Sequence, residues 1–511
     1  MHSAAIVLPL FSLRSETDLG RGEIPALATL AAWMDRIGHR VLQLLPLSEP
    51  APGEASPYSA FSVLAIDPLY IGVAALAGVA QADYRRAQAQ VAGRPSLPRD
   101  QLCALKFPLL KAAFEYFRRH GNGEERDGFE DFVAANRQWL EDYVLFRALK
   151  ERFHWASWES WPPALARREP AALAAVAEEL EPELAMYRYW QFLAWRQWRE
   201  LTAVRAATHI RLSGDLAFCP ARDSADVWSH QELFDLTCSV GAPPDSFSLN
   251  GQRWGLPLPD WKRMAADDFR WWRMRARQIG QMFDLVRIDH VVGFYRTYFF
   301  ADAEDAGRFV PAQENEQLAQ GERLLAVLQQ ELGHDALIAE DLGAVPPWVR
   351  ASLTRLGIPG LKVFRWEREH WGQPDESLIP PGSFPELSVA VTGTHDTEPL
   401  ASWWRDAPLS ERRQVAAALS FPPHLELTSG RLEPEVLDAI LAALYRAPSR
   451  LTMVPWQDLF GLESRINVPG TIGGQNWRYR MPVTVERLAV NPAMVARSAQ
   501  LRRLAELGGR A

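Results

Sequence analysis

Three acidic residues each close a short apolar run. Asp289 follows Phe283-Asp284-Leu285-Val286-Arg287-Ile288 and precedes His290. Glu340 follows Ala336-Leu337-Ile338-Ala339. Asp396 follows Val389-Ala390-Val391-Thr392-Gly393-Thr394-His395. Two carboxyl groups flanking a glycosidic bond can break it: one protonates the leaving oxygen and the other attacks the anomeric carbon. Asp289 suits the nucleophile, because Arg287, two residues earlier on the same strand face, favours its ionised form. Glu340 suits the acid/base, because its longer side chain reaches a leaving oxygen and a nearby anionic Asp289 raises its pKa. Once the ester forms, that charge disappears and Glu340 can act as base. Asp396, with His395 beside it, is suited to grip sugar hydroxyls and favour a distorted ring. Any one of these acids alone is more often a structural ion pair or a helix cap. Three at strand ends, with Arg and His neighbours, favour catalysis. Asp341 and Glu398, adjacent in the chain or nearly so, are decoys.

The elements that must position these residues are buried parallel strands, since each run is rich in Val and Ile and bounded by polar residues. Carboxylates at the C-terminal ends of such strands face the mouth of a barrel. Further strands are expected at His39–Leu47, after an amphipathic helix over about 24–37, and at Leu64–Tyr70, Ile210–Leu216, Gly360–Trp366 and Arg450–Trp456. The spacing suits strand-helix units of about 30 residues. Residues 71–204 are rich in Ala, Leu, Arg, Glu and Trp with helical periodicity, and predict a mainly helical insertion. Residues 241–260 are rich in Gly and Pro and predict a long functional loop. The expected architecture is an α/β (β/α)₈ TIM barrel. Residues 1–70 form its first part, 71–204 the insertion, and 205–511 the remainder.

The chain has 511 residues, enough for such a barrel and an insertion. Its net charge of -8 argues against general nucleic-acid binding. Cys103, Cys219 and Cys238 have no zinc spacing and read as structural thiols in a reducing compartment. The N-terminus lacks the pattern of a signal peptide and no run is long enough to span a membrane, so a cytoplasmic protein is expected. Most of the 20 tryptophans are expected in helix packing. A Trp on a catalytic loop, such as Trp254, offers a flat apolar face to a pyranose ring.

These motifs resemble those of the 4-α-glucanotransferases, the amylomaltase or disproportionating-enzyme family, glycoside hydrolase family 77. The likeness rests on Ser56-Pro57-Tyr58, on Gly214-Asp215-Leu216 followed by Asp223-Ser224-Ala225-Asp226-Val227-Trp228, and on Pro243-Pro244-Asp245 with Gly251-Gln252-Arg253-Trp254-Gly255. It continues through Arg287-Ile288-Asp289-His290, Ala339-Glu340-Asp341-Leu342-Gly343, Gly393-Thr394-His395-Asp396, Asn467-Val468-Pro469-Gly470-Thr471 and Asn476-Trp477. The resemblance implies a barrel of the α-amylase clan and retaining chemistry with no cofactor and no metal. It implies transfer of an α-1,4-glucan segment between maltooligosaccharides. It also implies that Tyr58, Asp215, Arg287 and His395 surround the donor sugar, that Gln252, Trp254 and His290 lie nearer the acceptor, and that Asn467 binds substrate. The chain departs from the family pattern at Ala217-Phe218-Cys219-Pro220, Leu256, Pro259 and Thr397. An α-1,4-glucan hydrolase using the same site, and a non-catalytic glucan-binding protein, are the competing functions.

Overall fold

The computed structural model describes residues 2–511 apart from 52, 95, 245–250, 302–305, 371, 372, 374, 375, 472 and 473. Eight strands close a barrel: β1 (Ser3–Val7), β2 (His39–Gln43), β3 (Arg211–Leu216), β4 (Leu285–Ile288), β5 (Leu337–Ala339), β6 (Gly360–Val363), β7 (Ser388–Val391) and β8 (Leu451–Pro455). Each is parallel to its neighbours, in chain order, and β8 returns to β1. Strand alternation sorts the side chains. Ala5 and Val7, Leu361 and Val363, Val389 and Val391, and Leu451 and Met453 pack together in one interior cluster. The larger cluster joins the other strand faces to the surrounding helices.

Two expectations need correction. Leu64–Tyr70 is not a strand: Ile66 makes one isolated bridge to Ser48, and Pro68–Tyr70 is a 3₁₀ turn. Pro68 has no N–H for a ladder, and the Asp67 side chain instead accepts from the Leu69 amide at 3.0 Å. The segment 241–260 is not an irregular loop either. Phe234–Ala242 and Gln252–Pro259 pair as antiparallel strands, joined by Thr297–Ala301 and Arg308–Val310 in a second sheet. Gln252–Pro259 lies at the sheet edge, where Pro257 and Pro259 are tolerated. Asp245 and Asn250 lie outside the described residues. The strand Ser3–Val7, unrecognised in the sequence, completes the barrel as β1.

Helices fill the chain from Gln81 to Thr208, between β2 and β3. The longest, Gly123–Arg152, starts where it does because Asn122 and Glu125 form a capping box. These helices grip the segment after β2. The Gln191 amide both donates to the Ile66 carbonyl (2.8 Å) and accepts from the Ile66 N–H (2.9 Å), and Gln197 does the same at Gly72. Glu49, buried, accepts from Tyr143 at 2.7 Å and from Arg147. Phe61 stacks on Tyr143 with ring centroids 6.1 Å apart. The loop carrying Tyr58 is therefore braced by the helices rather than by the barrel alone. All three cysteines are free thiols. Among the described residues no helix is long and apolar enough to cross a membrane.

Candidate active site

Side-chain parity on β4 starts the site. Leu285 faces the barrel interior, so Arg287 and Asp289 rise along the same face toward the C-terminal mouth. On β5, Ile338 faces inward and Glu340 follows on its side. Leu216, Ile288 and Ala339 are register partners across β3, β4 and β5, so the three strands end level. Asp215 on β3 lies directly beside Arg287. Arg287 Nη1 donates to both oxygens of Asp215 at 2.8 Å and to Asp289 Oδ1 at 3.0 Å. Its Nη2 is 4.0 Å from Glu340 Oε2. The Tyr58 hydroxyl donates to Asp215 Oδ2 at 2.8 Å.

One buried guanidinium thus links carboxylates from three adjacent strands. Burial works against the charge of Arg287, but Asp215 and Asp289 outweigh it and hold its pKa well above the ordinary range. Burial raises Asp215, and Arg287 opposes that rise. Burial also pushes the Glu340 carboxyl up to about 7; Arg287 pulls it down and Asp289 pushes it up. Glu340 Oε2 accepts from the His290 amide at 2.8 Å and Oε1 from the Leu342 amide at 3.2 Å. His290 has φ 48°, a left-handed turn whose amide serves Glu340 immediately after Asp289. Such backbone costs on the order of 1 kcal/mol and tends to occur at functional sites. Burial lowers the His290 ring to about 4, so it is neutral near pH 7. Trp254 meets it nearly edge-on, with centroids 5.0 Å apart, and Phe218 meets it at 5.6 Å.

Asp396 is placed differently. It sits in a turn beyond β7, where Thr397 Oγ1 accepts from the Thr394 amide at 3.0 Å and Thr394 Oγ1 from the Asp396 amide at 3.2 Å. Asn467 Nδ2 donates to Asp396 Oδ1 at 2.7 Å, and Arg465 to the Asp396 carbonyl at 2.7 Å. His395 Nε2 lies 3.3 Å from Asp396 Oδ2. The His395 ring stacks on Tyr58 at 5.4 Å, and Trp477 tilts against both.

A cleft of about 650 Å³ opens over these groups, a volume suited to a small ligand. Tyr58, Gln252, Trp254, Asp289, His290, His395, Asp396 and Asn467 all line it. Asp215 and Arg287 are buried beneath its wall, and the Glu340 side chain is only 15% exposed. The decoys point elsewhere. Asp341, of opposite parity to Glu340, accepts from the Leu361 amide at 2.8 Å and pairs with Arg350. Gly360 leaves room for it, since a Cβ there would meet its carboxylate at 2.6 Å. Glu398 pairs with Arg365 and Arg465. Sequence reasoning gave no site role to Phe218, Arg465 or Trp477; the left-handed φ of 62° at Trp477 is visible only in the structure. Among the described residues, no group of three or more His, Cys, Asp or Glu side chains could hold a metal ion.

The family model of the 4-alpha-glucanotransferases, glycoside hydrolase family 77, matches residues 8–485. The chain belongs to this family. A 4-alpha-glucanotransferase from Thermus thermophilus is 36% identical over 468 residues, covering 88% of this chain and 89% of its own. One from Chlamydia pneumoniae is 32% identical over 504 residues, covering 95% and 92%. An amylomaltase from Streptococcus agalactiae, solved in complex with acarbose, superposes with a TM-score of 0.85 at 26% identity, covering 100% of both chains. Within the 4-alpha-glucanotransferase fold, the carboxylates of Asp289 and Glu340 stand at adjacent strand ends, and Asp396 lines the same cleft as Asp289.

Proposed function

We propose that the protein moves a segment of an α-1,4-glucan onto another glucan or onto glucose by two successive displacements. The Asp289 carboxylate attacks the anomeric carbon of the donor sugar and the glycosidic C–O bond breaks. Glu340 gives its proton to the departing oxygen. The departing chain leaves with a free 4-hydroxyl, and the retained segment is an ester on Asp289. The 4-hydroxyl of an acceptor then loses its proton to the Glu340 carboxylate and attacks the same carbon, releasing Asp289. Two inversions retain the α configuration.

The observation that carries this reading is the sharing of Arg287 by Asp289 and Glu340, together with a Glu340 carboxyl raised to about 7. One group keeps a partner for its negative charge while the other keeps its proton. Proton donation requires Glu340 to exchange one of its two amide contacts for the glycosidic oxygen. Asp396, held by Asn467, is placed to bind sugar hydroxyls as the ring flattens. Tyr58 and His395 lie on the donor side, and Gln252, Trp254 and His290 on the acceptor side. The edge strand bearing Trp254 favours a covered acceptor site that admits sugar over water.

Incubation with maltotriose tests the reading. Glucose together with a ladder of longer oligomers is expected; exclusively shorter products would make the enzyme a hydrolase. Binding of maltoheptaose with no redistribution of glucose units would leave only a glucan-binding protein. A donor with a fluoride leaving group, quenched in acid and digested, should leave a glucosyl mass on the peptide containing Asp289.

A further inference from the structure

Asp396 is held by a different device from the other two acids. The Asp289 amide donates to the Leu216 carbonyl at 3.1 Å and the Glu340 amide to the Ile288 carbonyl at 3.0 Å, so the barrel ladder fixes both. β7 ends at Val391, short of Asp396. The Asp396 amide donates to Thr394 Oγ1 inside its own turn. The base of that turn is pinned by buried Asp458, which accepts from Thr392 Oγ1 at 2.6 Å and from the Leu400 amide at 2.7 Å. On the way out, buried Arg365 donates to the Glu398 carbonyl at 2.9 Å. The tip, where Asp396 sits, leans on the segment 465–467 beyond β8.

Arg465 grips both sides of that contact. Its Nη2 donates to the Asp396 carbonyl at 2.7 Å and its Nε to the Asn467 carbonyl at 3.1 Å. The Asn467 amide in turn donates to Asp396 Oδ1 at 2.7 Å. The guanidinium joins the two main chains and the amide joins the two side chains, which closes a ring of contacts. Glu398 lies between two guanidiniums, its Oε2 3.9 Å from Arg465 Nη1 and its Oε1 3.4 Å from Arg365 Nη1. The Asp396 side chain is 42% exposed. A carboxylate this open, on a turn beyond its strand, keeps its aim only if its supports are stiff. We infer that Arg465 is a positioning residue for glucan transfer: through the two carbonyls it sets the direction of the Asp396 carboxylate. Arg465 itself is not among the described residues that line the cleft. A guanidinium suits this task because its N–H groups diverge in a rigid planar fork, which an ammonium does not reproduce. The inference rests on the role proposed above for Asp396, which binds sugar hydroxyls as the ring flattens.

A cycle of Arg465→Gln, Asp396→Asn and the double variant, assayed by maltotriose disproportionation, tests it. Arg465→Gln should lower kcat by about 100-fold, the scale of loss for a group misplaced by about 1 Å, with KM changed by less than about threefold. In the Asp396→Asn background the same change should cost less than about threefold more, because the carboxylate that it aims is gone. Arg465→Lys should recover part of the loss. A merely structural arginine would lower Tm and raise KM, and its loss would multiply with that of Asp396. Multiplying losses, or a kcat within about threefold of the parent, would overturn the inference while leaving Asp396 its role. Asp396→Asn turning over at the normal rate would instead overturn the role of Asp396, and the inference with it. If Arg465→Gln fails to fold, Arg465→Lys enters the same cycle, and multiplying losses or an unchanged kcat count against the inference in the same way.

Discussion

Asp289 and Glu340 stand level on neighbouring strands, because Ile288 and Ala339 are register partners and each is followed directly by a carboxylate. The Glu340 amide donates to the Ile288 carbonyl at 3.0 Å, which locks the two strand ends together. A shift of one residue would send one carboxylate to the helix side. The separation of the two groups is thus a property of the barrel ladder, and Arg287 lies between them.

The pH dependence follows from Glu340. Its proton is lost near pH 7, so kcat/KM for donor cleavage should fall as pH rises through about 7, and Glu340→Gln should remove that limb with a fluoride donor. The sign of the stability effect is set by the raised pKa. The native carboxyl holds its proton more tightly than the unfolded one. Its contribution is therefore full below the ordinary value of 4.5 and lost above about 7. Glu340→Gln should be near neutral at pH 4 and stabilising by on the order of 2 kcal/mol at pH 8. Urea unfolding at both values checks this.

Asp289→Asn should lower turnover by about 10⁴-fold or more, since no ester can form. Affinity for maltoheptaose, measured by calorimetry, should change little, because Tyr58, His395 and Asn467 remain. Turnover near the normal rate would assign the nucleophile to another group.

Arg287→Met should leave Asp215 buried without its cation, at a cost of about 3–5 kcal/mol. Chemical denaturation should show this loss. A double variant that also carries Asp215→Asn should recover part of it, because the uncompensated charge is gone. Activity should stay low in both, since Asp289 and Glu340 lose their shared partner.

Trp254→Ala removes the indole that meets the His290 ring. The KM for acceptor glucose should rise by about tenfold, the loss of an aromatic contact of about 1.5 kcal/mol. Release of fluoride from an activated donor should be nearly unchanged. Equal losses in both assays would place this tryptophan on the donor side.

Gln191→Leu tests the brace between the helices and the Tyr58 loop. It leaves the Ile66 N–H and carbonyl without their side-chain partners, at a cost of about 1–3 kcal/mol. Donor KM should rise with it, although Gln191 touches no cleft residue. A stability loss with unchanged donor KM would confine the brace to folding.

The amino-acid sequence by itself singled out the candidate groups for chemistry. Apolar runs ending in Asp289, Glu340 and Asp396 are legible because buried parallel strands demand continuous Val and Ile, and a carboxylate at their end is conspicuous. Seven of the eight barrel strands carried such a signal, and the Ala-rich and Trp-rich stretch after β2 announced its helices by period. What the sequence did not disclose is what depends on distant partners. Ser3–Val7 is too short to be read without β2 and β8 beside it. Gln252–Pro259 looks like loop because its prolines are acceptable only at an edge, and edges exist only in an assembled sheet. The burial of Asp215 and Arg287 beneath the cleft and the hold of Asn467 on Asp396 likewise arise from contacts across many residues. Local composition selects strand, helix and candidate acid, because those choices are made over a few residues. Register and burial set distances, charge states and cavities, because those are made between segments that meet only on folding.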